Sequence, residues 1–215
     1  METRILPVTP FQQNCTLLWC AATRCAVVID PGGEVPRIRA AIEALGLTVE
    51  RILLTHGHID HVGGAQALSE ALGVPIEGPQ REDAFLIEGD HFGRQCKMFG
   101  LPPHPGFTPA RWLEDGDTVA FGNETLQVIH APGHTPGHVV YFHASQKLAQ
   151  VGDVLFAGSV GRTDFPRGDF DALVHSIRAK LFPLGDAVEF IPGHGPTSTF
   201  GDERAANPYV GDRRI

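Results

Sequence analysis

No apolar run in this sequence approaches the roughly 18 residues that a membrane-spanning helix needs, so no membrane span is expected. The opening residues, Met1-Glu2-Thr3-Arg4-Ile5, lack the basic start and apolar stretch of a secretory leader, which makes the cytoplasm the expected location. Cysteine is scarce and never spaced C-x-x-C. Cys15, Cys20, Cys25 and Cys96 therefore read as small hydrophobes in reducing conditions, three of them in strand-like runs, with no disulfide or ligand role. Lys and Arg total 17 against 25 Asp and Glu, a formal net charge of −8, which argues against nucleic acid as a partner, because phosphate backbones reward clustered basic residues. No Pro/Gly/Ser-rich linker or shift of composition divides residues 1–215, so a single domain with one sizeable core is expected. The 42% hydrophobic and 20% charged content is that of a folded globular chain and excludes disorder. Histidine, by contrast, is abundant, with eleven in the chain.

The histidines concentrate first in Thr55-His56-Gly57-His58-Ile59-Asp60-His61-Val62-Gly63-Gly64. This stretch follows the apolar run Ile52-Leu53-Leu54, which reads as a buried strand. His56 and His58 are two apart. In an extended loop that spacing points both side chains the same way, whereas on a helix it separates them by about 200°. The spacing predicts a loop, closed by the Gly63-Gly64 pair before a helix over 65–72.

Before this turn, 4–8, 15–19 and 26–29 read as strands of an antiparallel opening sheet, and 35–45 as a helix. Asp30, ahead of Pro31-Gly32, reads as a turn former, with a supporting carboxylate for the metal turn as the alternative. After the turn, 74–77 reads as an edge strand and 80–99 as helical, and His91 and His104 flank a Pro-rich loop in solvated or packing roles. The second half repeats the design of the first. The strand-like run 126–130 leads into Pro132-Gly133-His134, 148–151 runs into Gly152-Asp153, a helix is expected over 170–181, and 188–191 leads into Pro192-Gly193-His194. Four strand ends thus each deliver a candidate ligand to one sheet edge, where function belongs in loops on a rigid scaffold.

His56, His58, Asp60, His61, His134, Asp153 and His194 all stand at strand-to-loop junctions flanked by Gly or Pro, a pattern pointing to a metal site. His130 and His138 read as packing or supporting residues. Seven ligands exceed the needs of a single catalytic zinc, which takes three protein ligands plus water. Two divalent metals about 3.5–4 Å apart fit the count if a carboxylate bridges them, which singles out Asp153 or Asp60, with Asp153 preferred. Imidazole and carboxylate donors without thiolate favour Zn2+, with Fe or Mn as alternatives.

The pattern His56-x-His58-x-Asp60-His61, then Pro-Gly-His134-Thr, Gly152-Asp153 and Pro-Gly-His194-Gly, resembles the metallo-β-lactamase fold superfamily, and within it the glyoxalase II-like (hydroxyacylglutathione hydrolase) branch. The resemblance covers about residues 4 to 200. It is closest to compact members that lack the C-terminal helical region of the long enzymes. It implies a mixed α/β (α+β) fold, an αββα four-layer sandwich with metals at one edge of the paired sheets. His56, His58 and His134 would hold the first metal, Asp60, His61 and His194 the second, with Asp153 bridging. Gly161-Arg162-Thr163-Asp164-Phe165 is similar both to compact glyoxalase II-like proteins and to persulfide dioxygenases.

A metal-held water has its pKa lowered to about 7, which supplies hydroxide near neutrality. Asp60 is placed to orient it and accept a proton, and a thiol of pKa about 8.5 leaves without a general acid, so thioesters suit the site better than amides. The expected activity is hydrolysis of S-lactoylglutathione or a similar hydroxyacyl-glutathione, a small-molecule thioester, with Arg162 either steering an anionic group or forming an ordinary loop salt bridge. The alternatives are hydrolysis of another small ester, or a mononuclear iron glutathione persulfide dioxygenase using His56 or His58, His134 and Asp153. A non-enzymatic zinc module is disfavoured, because structural zinc sites are closed and usually cysteine-rich. The sequence leaves the oligomeric state open.

Overall fold

The computed structural model of the chain describes residues 1–98 and 106–212, and the side chains of all of these but 90 and 91. His104 lies outside the described residues, as does the side chain of His91.

Strands β1 (Glu2–Val8), β2 (Gln13–Trp19) and β3 (Cys25–Ile29) pair antiparallel, as expected from the sequence. β4 (Thr48–Leu53) and β5 (Ile76–Glu77) then add in parallel, giving the order β1-β2-β3-β4-β5 with β5 at the edge. The edge strand starts later than residue 74 because Pro75 cannot donate to the ladder. A second sheet of β6 (Thr118–Phe121), β7 (Glu124–His130), β8 (Val139–His143) and β9 (Leu148–Gly152) continues past a small hairpin, β10 (Leu155–Phe156) with β11 (Ser159–Val160). It is completed by β12 (Glu189–Pro192) and β13 (Ser198–Thr199), in the order β13-β12-β9-β8-β7-β6.

Successive side chains on a strand point to opposite faces, and here each face is buried against something different. Leu17, Val28 and Ile52 pack under helices α1 (Val35–Ala44) and α3 (Ala65–Leu72), while their neighbours Leu18, Val27 and Leu53 meet Val128, Val139 and Tyr141 of the second sheet. Val140 and Phe142 turn the other way, toward Leu173, Ile177 and Phe200. Leu173 belongs to helix α6 (Phe170–His175) and Phe200 to α7 (Phe200–Ala206), numbered after the short α2 (Ile59–Val62), α4 (Ala84–Ile87) and α5 (Gly89–Met98). Three apolar cores therefore separate four layers in the order αββα. This doubly covered arrangement explains why every residue of β2 is buried.

Two helices differ from the sequence expectation. The segment from Gln80 is not continuous: a 3-10 turn at Arg81–Asp83 precedes α4, and Gly89 at φ 65 breaks the chain before α5. The segment from Phe170 is α-helical only to His175 and continues as π-helix over Ser176–Leu181, where the Ser176 hydroxyl donates to the Pro132 carbonyl. Among the described residues no helix is long and apolar enough to cross a membrane.

Candidate metal centre

The parallel strands β4, β9 and β12 end on the same edge of the sandwich as the β7–β8 connection, so four loops converge there. His56 and His58 follow β4 in a loop, as their spacing predicts, with His58 extended, whereas Asp60 and His61 sit in the one-turn helix α2. The β7–β8 loop carries His134, the end of β9 carries Asp153, and the end of β12 carries His194. All seven candidate ligands come together.

They form two groups. His58 Nδ1 lies 3.1 Å from His56 Nε2 and 2.9 Å from His134 Nε2. His194 Nε2 lies 3.1 Å from Asp60 Oδ2 and 3.4 Å from His61 Nε2. In each group one donor atom per residue lies within 4.8 Å of the others. Asp153 stands between them, with Oδ1 3.3 Å from His61 Nε2 and Oδ2 3.6 Å from His134 Nε2 and 3.7 Å from His194 Nε2.

The hydrogen bonds behind the rings fix which nitrogens are bare. The Thr55 hydroxyl spends its proton on Asp30 Oδ2 at 2.6 Å, so at 3.0 Å it must accept from His56 Nδ1. His134 Nδ1 donates to the Arg162 carbonyl at 2.7 Å, His61 Nδ1 to Asp30 Oδ2 at 2.8 Å, and His194 Nδ1 to the Phe11 carbonyl at 3.1 Å. A neutral imidazole carries one proton, so four Nε2 lone pairs face into the same small space. Lone pairs so placed repel one another unless cations lie among them.

The electrostatics agree with this demand for positive charge. Burial, followed by the crowding of neighbouring imidazoles, keeps His56 and His58 neutral and pushes His58 down to about 3, while burial likewise lowers His134. Around the second group burial works against charge, but the Asp153 and Asp60 carboxylates overcome it and raise His61, and the same two carboxylates raise His194. Although burial opposes their ionisation, His61 and the neighbouring histidines hold Asp60 and Asp153 below the usual carboxylate range. Asp153 Oδ1 is buried and, among the described residues, receives no hydrogen bond. An orphaned carboxylate oxygen, converging imidazole nitrogens and carboxylates that draw positive charge to their neighbours are what a pair of divalent cations would satisfy.

Asp30 corrects the turn-former reading. It is buried, its Oδ1 accepts from the Thr55 amide at 2.7 Å, and its Oδ2 serves both Thr55 and His61. The carboxylate thus supports a candidate ligand from each donor group, His61 directly and His56 through Thr55. His138 and His130 are supporting residues, as expected: His138 stacks on His56 at 4.7 Å and accepts from the Asp153 amide at 3.1 Å, while His130 donates to the Pro136 carbonyl at 2.8 Å. The guanidinium of Arg162 is exposed, bonded to Asp164 at 2.9 and 2.8 Å and stacked over Phe165, so it forms the loop salt bridge. The main contribution of Arg162 to the centre is its carbonyl.

Two residues escaped the sequence reading. Asn14 donates to the Pro192 and Gly195 carbonyls at 3.0 and 2.9 Å and so pins the His194 loop; a polar residue inside the otherwise buried strand β2 was the available signal. Asp83, fully buried, binds two of the ligand loops, and nothing in its local sequence marks it. Gly193 is glycine because a Cβ there would lie 2.0 Å from Asp153 Oδ1 and 2.6 Å from His61 Cε1.

In front of the centre lies a cavity of about 930 Å³, walled by Phe11, Leu86, Phe156, Val160 and Phe165, with His58, Asp60, His134, Asp153 and His194 at its floor. Its size suits a small organic substrate.

Residues 8–194 match the metallo-beta-lactamase superfamily. Over 214 residues, 99% of this chain and 100% of the relative, the sequence is 45% identical to the hydroxyacylglutathione hydrolase GloC of Haemophilus influenzae. In structure the chain is similar to TTHA1623 in a di-iron-bound form, with a TM-score of 0.85 and 37% identity over 96% of this chain and 99% of that one. It is also similar to ETHE1 from Myxococcus xanthus, with a TM-score of 0.82 and 27% identity over 100% and 87% of the two chains.

Proposed function

Because the chain belongs to the metallo-β-lactamase superfamily, we propose that it is a two-metal thioester hydrolase acting on S-lactoylglutathione or a similar hydroxyacyl-glutathione. One observation carries this reading: two complete donor groups, His56/His58/His134 and Asp60/His61/His194, share Asp153 between them at the floor of a substrate-sized cavity. The GloC relative supplies the substrate class.

Divalent cations held there, with zinc the first choice and iron favoured by the di-iron neighbour, would polarise a thioester carbonyl and make water nucleophilic near neutral pH. The protein's own residues do the rest. Asp30, Thr55, Phe11 and Arg162, through the contacts above, fix the ring orientations so that no rearrangement is needed when a substrate arrives. Asp60 is partly exposed at the cavity floor and ionised, so it is placed to orient the attacking water and take its proton. The departing thiol, with a pKa of about 8.5, leaves as thiolate and needs no acid. The aromatic walls shield the reacting carbonyl from bulk water.

An iron-dependent persulfide oxygenase would need only three protein ligands, and the likeness to ETHE1 keeps that reading worth measuring. It leaves Asp60, His61 and His194 without a purpose. S-lactoylglutathione hydrolysis and persulfide-dependent oxygen uptake, assayed side by side on the metal-loaded protein, decide between them. Thioester loss that collapses in Asp153→Ala and His134→Ala, with little oxygen consumed, is the expected result. Rapid oxygen uptake with one iron per chain would overturn it.

A further inference from the structure

We infer that Asp83 is a positioning residue that ties together the two loops bearing His56, His58 and His134 and so sets the affinity of the first metal position; the inference rests on the two-metal reading above. Asp83 Oδ2 accepts from the Gly57 amide at 2.9 Å and from the Thr135 hydroxyl at 2.7 Å, and Oδ1 accepts from the Gly137 amide at 2.6 Å. Gly57 stands between His56 and His58, Thr135 follows His134, and Gly137 precedes the His138 that stacks under His56. One carboxylate therefore spans the gap between the β4 loop and the β7–β8 loop, and all three ligands of one group are adjacent to its partners. No partner of Asp83 carries a ligand of the other group.

The fit leaves no slack. A Cβ at Gly137 would lie 2.8 Å from Asp83 Cγ and 2.5 Å from its amide nitrogen, so the loop lies flat against the residue that binds it. Asp83 does not cap its own helix, since α4 has no side-chain cap bond from it. Its charge is held at a cost. Burial pushes its carboxyl up to about 6, and Arg167, which favours the charge, is itself paired with Glu82. A carboxylate kept in such a place, with every oxygen turned toward the ligand loops, is spent on their geometry. Supports of this kind behind metal ligands are typically worth about 10–100-fold in metal affinity.

Asp83→Asn tests this with little change of shape. Whichever way the amide turns, its NH2 faces either the Gly57 or the Gly137 amide, so at least one of the three bonds is lost and replaced by two facing donors. Zinc competition against a chromophoric chelator, resolved into two binding steps, is the readout. One step is expected to weaken about 10–100-fold while the other holds within about threefold. Two unchanged steps would overturn the inference, and so would an equal weakening of both, since that is what a general structural defect gives. Thr135→Val removes only one of the three bonds and carries the test if the Asn variant does not fold. A smaller weakening of the same step supports the inference, and parent-like binding overturns it. A parent protein that takes up no zinc at all would sink the metal-centre reading itself, a failure visible before any variant is compared.

Discussion

Gly193→Ala separates the geometry of the centre from the chemistry of its ligands, because it changes no donor. The new Cβ would start 2.0 Å from Asp153 Oδ1, and ordinary contact begins at 3.4 Å, so the carboxylate must retreat by about 1.4 Å or the β12 loop must lift. The loop is not free to lift: the Gly193 amide donates to the Gly152 carbonyl at 2.8 Å and its own carbonyl accepts from the Asn14 amide at 2.7 Å. Ligand distances in a metal site tolerate only about 0.2 Å, so a shift of that size removes Asp153 from coordination. Displacing reacting groups by about 1 Å costs about 100-fold in rate, which sets a floor for the loss of thioesterase activity. The metal-free fold is expected to suffer little. Overpacking costs about 1–3 kcal/mol, less the about 0.4–1 kcal/mol that Gly→Ala recovers from the unfolded chain. At about 2–4 °C per kcal/mol for a chain of this length, the apo melting point falls by less than about 10 °C. Gly195→Ala is the control. Its φ of 78 makes alanine strained, but no atom of the described residues lies within 4 Å of the added Cβ, so it should be mildly destabilised and keep both metals. Zinc per chain after gel filtration, together with the rate of S-lactoylglutathione hydrolysis, checks both variants. A Gly193→Ala protein with parental zinc content and rate would refute the steric argument.

Two further outcomes follow from the same contacts. Asp30→Ala deprives His61 Nδ1 of its acceptor at 2.8 Å and frees Thr55, so the zinc position of the second group should weaken at least about tenfold, measured by chelator competition. Acid should empty the two groups in sequence. Protons compete with a metal below a ligand's pKa; His61 and His194 are raised and therefore lose metal first as pH falls, whereas the lowered His56, His58 and His134 hold theirs further into acid. As pH is lowered zinc content should fall first toward one per chain, and the surviving ion should vanish in His134→Ala but not in His194→Ala; simultaneous loss of both ions would contradict the order.

The convergence of candidate ligands at strand ends was legible because its signal is local: a buried run, a tight turn, a histidine. The spacing of His56 and His58 foretold a loop, and the repeated Pro-Gly-His pointed to the loops that supply His134 and His194. For Arg162 the sequence left substrate steering and a loop salt bridge equally open, and the structure pairs it with Asp164. What sequence alone conceals is pairing across the chain. Asp30 looked like a turn residue because its partner His61 lies 31 positions away, and Asp83 gave no sign because it binds loops 26 and 54 positions distant. The helix drawn through Gly89 failed for a local reason that could have been weighed, since a glycine at positive φ ends helices. The switch to π-helix at Ser176 has no marker in the sequence.

The central claim is that seven side chains from four loops enclose two cations with Asp153 between them. Anomalous diffraction at the zinc edge, from crystals of zinc-loaded protein, tests it most directly. Two peaks about 3.5–4 Å apart, one against His56, His58 and His134 and the other against Asp60, His61 and His194, are predicted. A single peak, or density away from Asp153, would contradict the account.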